Sequence, residues 1–141
     1  MQRGRRIAFD YGDVRIGVAI CDADAIVASP LITLRNSDKK LVSHLIQIFD
    51  EYQPIRIYVG KPSNMDGSMG DAAAKCQRFC QLLETLTGAP IISIDERLTT
   101  VSAAKNLREA GLPAKAAKSR IDEAAAVAIL EFGLAIEKHR E

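Results

Sequence analysis

The chain is predicted to fold as an α/β domain on a mixed five-stranded sheet, opening with an antiparallel meander and carrying helices on both faces. Three observations predict this. Two short apolar runs, 5–11 and 15–21, are separated by so few residues that they must form a hairpin. After Asn36 the apolar spacing changes from that of a strand to that of a helix. From there short apolar runs alternate with helical segments, the pattern of parallel strands joined by right-handed crossovers.

The elements follow in order. Arg5 to Tyr11 reads as a strand stopped by Gly12 and Asp13, and Arg15 to Cys21 (RIGVAIC) as its hairpin partner. Asp22 to Asp24 turns the chain into a third strand, Ala25 to Leu34, in which Pro30 implies an edge position or a bulge. Asn36-Ser37-Asp38 is a helix start signal, followed by Leu41, Val42, Leu45, Ile46, Phe49 and Tyr52 at helical spacing up to Pro54. Ile55 to Val59 is a fourth strand, broken by Gly60-Lys61-Pro62. A polar loop, 63–70, leads into a helix carrying Ala72, Ala73, Cys76, Phe79, Cys80, Leu83 and Leu86, closed by Gly88 and Pro90. Ile91 to Ile94 is the fifth strand. A helix from about Thr99 to Ala110, a loop to Lys118 and a last helix over roughly Ser119 to Lys138 complete the chain.

Length and composition bound the function. At 141 residues the chain is expected to form a single domain, 1–141, able to bury about 70% of its unfolded surface without disulfide or metal. No apolar run approaches the ~20 residues of a membrane span, and the basic N-terminus lacks a secretory signal, so a cytoplasmic location is expected. Three cysteines fit reduced thiols. Cys76 and Cys80 lie four apart on one helix face, but with no second ligand pair they read as small buried hydrophobes. Net charge is +1, with positive charge concentrated at Arg3, Arg5 and Arg6 and again from Lys105 to Arg120. Such local patches can serve phosphate contacts or simply solvate a helix face.

Several chemistries find no support. His44 and His139 are remote from each other and from any nucleophile motif, and the glycine fingerprints of dinucleotide and P-loop sites are missing. Aromatic content of 5%, with no Trp, argues against a base-stacking platform.

What remains is a set of acids. Open α/β sheets bind ligands at the carboxyl ends of their strands. Asp10 ends an apolar run there, where a carboxylate is costly unless paired or metal-bound, although an Asx-turn would also explain it. Asp95 and Glu96 stand at a second strand end, and alternation allows only one to face the cleft of Asp10; the other can cap a helix or pair with Arg97. Ser119-Arg120-Ile121-Asp122 has the spacing of a capping box, yet Asp122 borders the apolar face that meets the sheet. Together Asp10, Glu96 and Asp122, with Asp95 in support, can converge on one point. An all-oxygen cluster suits Mg²⁺ or Mn²⁺, as one ion or two, in phosphodiester hydrolysis. Arg15, Lys61, Arg97 and Lys118 are the candidate phosphate contacts.

Five blocks, taken together, are distinctive. Asp10-Tyr11-Gly12 with Arg15-Ile16-Gly17-Val18-Ala19, Val59-Gly60-Lys61-Pro62, Met65-Asp66-Gly67-Ser68, Asp95-Glu96-Arg97-Leu98-Thr99-Thr100, and Asp122-Glu123-Ala124-Ala125-Ala126 with Ile129-Leu130 resemble the YqgF family, the RuvX-type, Holliday-junction-resolvase-like proteins. The resemblance runs from about Arg5 to Leu134. It implies an RNase H-like fold and a nuclease maturing the 5′ end of pre-16S ribosomal RNA in ribosome biogenesis. It carries the family's acidic site onto Asp10, onto Asp95-Glu96 with Glu96 preferred, and onto Asp122. Lys61 stands where many members have leucine, and Cys21 replaces a usual serine. Structured RNA is the expected partner and branched DNA the second, with the protein a monomer or homodimer. The rival readings are a Holliday-junction-type DNA resolvase and a non-catalytic RNA-binding assembly factor.

Overall fold

The computed structural model describes residues 1–62, 70–99 and 115–140, without the side chains of 115–121. Five strands form one sheet: β1 (Arg6–Tyr11), β2 (Arg15–Cys21), β3 (Ala28–Arg35), β4 (Arg56–Lys61) and β5 (Ile91–Asp95), in the order β3-β2-β1-β4-β5. The first three pair antiparallel, and β1, β4 and β5 run parallel. This is the mixed sheet with an opening meander that the sequence predicts. Pro30 sits on the edge strand, at the register shift opposite Val18 and Ala19, so both of its predicted roles are met.

Among the described residues three helices cover the sheet: α1 (Leu41–Tyr52), α2 (Asp71–Leu86) and α3 (Lys115–His139). Alternation divides the strands between two cores. Ile7, Phe9, Ile16, Val18, Ile57 and Val59 point to one face, where they meet Leu45 and Phe49 of α1 and Phe79 and Leu83 of α2. Phe9 meets Phe49 and Phe79 edge-on, at ring separations of 6.2 and 5.5 Å. Ala8, Ala19, Tyr58 and Ile94 point to the other face, against Ala125, Ala126, Ile129 and Leu130 of α3. The small residues on both sides of this second core let α3 lie close to the sheet. Among the described residues no helix is long and apolar enough to cross a membrane.

Several boundaries differ from expectation, each for a local reason. β3 starts at Ala28, because the turn is longer than Asp22 to Asp24: Asp22 Oδ1 accepts from the amides of Ile26 and Val27, and Ala25 takes a positive φ of 57°. The end of α1 agrees with expectation: its last residue is Tyr52, and Gln53 caps it in the left-handed region at φ 47°, immediately before Pro54. β4 continues through Gly60 and Lys61, which pair with Ile94 and Asp95. α3 starts at Lys115, ahead of the expected Ser119, because Ala116 and Ala117 favour helix. The expected helix from Thr99 to Ala110 falls, beyond Thr99, outside the described residues, as does the 65–68 block.

Candidate active site

Asp10 is the next-to-last residue of β1 and is 2% exposed. Alternation turns it to the same face as Ala8, toward α3. Its two neighbours across the sheet are both glycine: Gly17 on β2 and Gly60 on β4. Neither has room for a side chain. A Cβ on Gly17 would run into the backbone carbonyl of Asp122, and one on Gly60 would strike Ile129 and lie 3.3 Å from Glu96 Oε1. The helix turn bearing Asp122 therefore rests on one side of Asp10, and the Glu96 carboxylate reaches in on the other.

All three predicted acids are buried, Glu96 at 6% exposure and Asp122 at 1%. Glu96 opens a single 3₁₀ turn, Glu96–Leu98, directly after β5. Asp95 caps that turn by accepting from the Arg97 amide at 2.9 Å, and its carboxylate also pairs with the Arg97 guanidinium at 2.7 Å. The two adjacent acids thus divide as alternation requires: Glu96 lies beside Gly60 on the α3 side, while Asp95 serves the turn. Asp122 lies two turns into α3, so the capping-box role suggested by Ser119 does not apply; the earlier helix start moves Asp122 onto the sheet-facing side. Its Oδ2 accepts from Arg15 Nε at 2.7 Å.

The candidate phosphate contacts are distributed differently. Arg15, on the α3 face of β2 with Gly17, is engaged by Asp122. Arg97 is exposed and shared with Asp95. Lys61 alternates with Val59 onto the opposite face and lines a cavity under α2 with Cys76 and Cys80, so it is not brought to the acids. The Lys118 side chain lies outside the described residues.

Three carboxylates with no Cys or His beside them have the donor chemistry of a hard cation site. Among the described residues, however, no three acidic, histidine or cysteine side chains stand close enough to form a ready-made cage. The acids share one end of one face, with Asp122 turned to Arg15.

Sequence reasoning missed a second charged cluster at the other end of α3. Glu137 bridges Arg6 at 2.8 Å and Arg56 at 3.0 Å and accepts a hydrogen bond from the Tyr58 hydroxyl. Burial pushes the Glu137 carboxyl up, but the bonds from Arg6 and Tyr58 and the charges of both arginines outweigh it and hold it below its ordinary value. Arg6, at 1% exposure inside an apolar run, was the available signal. With Asp122 near Gly17 and Glu137 near Arg6, α3 runs antiparallel to β1 and is pinned at both ends.

A family model described as RuvX, Holliday junction resolvase, matches residues 4–135. A Streptomyces coelicolor protein named "Putative pre-16S rRNA nuclease" is 46% identical over 140 residues, 98% of this chain and 84% of the relative. A Rhodococcus erythropolis protein of the same name is 44% identical over 135 residues, 92% of this chain and 76% of the relative. Among solved structures, Thermus thermophilus RuvC in complex with a Holliday junction substrate superposes with a TM-score of 0.60 at 14% identity. The match covers 95% of this chain and 96% of that one, and shows the shared RNase H-like fold.

Proposed function

The chain belongs to the RuvX family of Holliday junction resolvases, and from that premise we propose that it is a metal-dependent nuclease acting in 5′-end processing of pre-16S rRNA. The names of the relatives support the substrate. The observation that carries the chemistry is Asp10 set between two glycines, with Glu96 beside one and the Asp122 turn beside the other.

In this reading Asp10, Glu96 and Asp122 would hold Mg²⁺ or Mn²⁺, one ion or two, which supplies the Lewis acidity for phosphodiester hydrolysis. The protein's own contribution is positional. Burial keeps the three carboxylates away from bulk water, where their charges would be screened. Arg15 orients Asp122 and offsets its charge. The two glycines make room for α3: the Asp122 carbonyl and the Ile129 side chain fill the space above them, which brings the helix down beside Asp10. Arg97 is a phosphate contact on this reading, Lys61 lies across the sheet from the acids, and Lys118 is the contact expected from the sequence. Such contacts fix register on the backbone without reading sequence, which suits structured RNA first and branched DNA second.

The test incubates purified wild type and Asp10→Asn with a precursor rRNA fragment and with a four-way DNA junction, in Mn²⁺ or in chelator. Wild type cuts the RNA in Mn²⁺, chelator stops it, and Asp10→Asn loses at least about 100-fold in rate while keeping its circular dichroism spectrum. An active Asp10→Asn protein overturns the mechanism. One observation favours a second reading, an RNA-binding assembly factor: Asp122 is already satisfied by Arg15. On that reading the wild type binds the RNA equally well in chelator and cuts nothing.

A further inference from the structure

Cys76 and Cys80 face the sheet from α2 on the side opposite the acids. They line a cavity of about 250 Å³ together with Lys61, Ala73, Gln77 and Ser93, ample for a small polar oxidant beside the ~30 Å³ that one water occupies in the liquid. The two cysteines are not equivalent. Cys76 is 2% exposed and its thiol lies 3.5 Å from the Gly60 carbonyl oxygen, while Cys80 is only half-buried. The sequence reading of both as small buried hydrophobes therefore fits Cys76 alone.

We propose that Cys76 and Cys80 form a peroxide-reactive dithiol site. The Cys80 thiolate attacks a peroxide oxygen, the O–O bond breaks, and hydroxide leaves, giving a sulfenic acid. The Cys76 thiol then attacks that sulfur, forming a disulfide and releasing water. The two thiols lose two electrons and the peroxide gains them. The surroundings favour this order of events. The Cys76 thiol hydrogen-bonded to it, with help from the Ser93 hydroxyl and the Lys61 charge, holds the Cys80 thiol below its ordinary value against burial and Glu84. Cys21, under α3, is the internal contrast: burial pushes its thiol up.

Helix geometry permits the bridge at a local cost. Residues four apart have Cα atoms about 6 Å from one another, within disulfide range. Their Cβ atoms, about 5–6 Å apart, must close to about 4 Å, which draws in one turn of α2. That movement takes the Cys76 sulfur away from Gly60, the strand neighbour of Asp10.

The experiment treats the full chain with hydrogen peroxide and maps its cysteine peptides by mass spectrometry. The wild-type peptide containing both residues loses two hydrogens, and a reductant restores them. Cys76→Ser stops at a sulfenic acid on Cys80, captured by dimedone, whereas Cys80→Ser gives no capture. With no peroxide, iodoacetamide labels Cys80 at least about ten-fold faster than Cys21, whose thiol is buried under α3. Equal labelling of Cys21 and Cys80, dimedone capture that persists in Cys80→Ser, or no bridge in the wild type overturns the proposal.

Discussion

Arg15 Nε donates to Asp122 Oδ2 at 2.7 Å, joining the first residue of β2 to α3 across 107 positions of sequence. The carboxylate is 1% exposed and the arginine 23%, so the acid depends on this partner more than the arginine does. Removing Arg15 takes an ion-pair partner from a buried charge, whereas removing both groups does not. Arg15→Ala is expected to lower stability by about 2 kcal/mol in urea unfolding. Asp122→Asn in the same background then costs less than it does alone, with a coupling of about 1 kcal/mol or more. Additive losses would mean that the pair contributes nothing beyond its parts.

Gly17 and Gly88 make a matched test of the packing beside Asp10. Gly17→Ala forces a methyl group against the Asp122 carbonyl, and neither backbone segment yields easily; a loss of about 1–3 kcal/mol is expected. A methyl group at Gly88 would meet nothing within 4 Å, so Gly88→Ala is neutral or stabilises by up to about 1 kcal/mol. Thermal unfolding of the two variants side by side distinguishes a steric origin from a general intolerance of substitution.

Glu137 gives a pH dependence with a defined sign. Its folded carboxyl titrates below the unfolded value of 4.5, so its contribution is present above about pH 4.5 and is lost as pH falls through the lower folded value. Glu137→Gln leaves Arg6 and Arg56 without their carboxylate and costs about 3 kcal/mol at neutral pH. The gap between wild type and variant is expected to narrow as the solution is acidified below about pH 4.5. A gap that stays constant down to pH 3 would assign the stabilisation to packing instead.

Salt dependence tests the phosphate contacts. If Lys61 touches a phosphate, Lys61→Ala reduces the slope of log K against log salt for a precursor rRNA fragment by about one unit. Arg97→Ala is expected to do less, because Asp95 already offsets part of that charge. Filter binding at four salt concentrations measures both, and an unchanged slope removes Lys61 from the interface.

The sheet was legible because its determinants are local: apolar runs bounded by Gly, Pro and Asp, with Pro30 marking the edge. Asp10 and Glu96 were legible for a similar reason, as carboxylates at the ends of apolar strands. Asp122 carried a misleading local signal, since a capping-box spacing occurs inside a helix whose alanines extend it toward the N-terminus. Counting alternate residues from Ile57 would have put Lys61 on the α2 face. The pairs Arg15–Asp122 and Arg6–Glu137 leave no trace in local spacing, because each forms only once α3 has docked. The same holds for the unequal burial of Cys76 and Cys80.

The alanine contacts between α3 and the sheet have a mechanical corollary. Ala8, Ala19, Ala125 and Ala126 act as shims of minimum thickness, so the height of the helix above the strands is set by methyl groups. A bulkier residue at any of them would lift the helix like a lever pivoting on its Glu137 anchorage, and Asp122, near the far end, would travel furthest. Substitutions at these interior alanines are thereby converted into changes in the gap between Asp10 and Asp122.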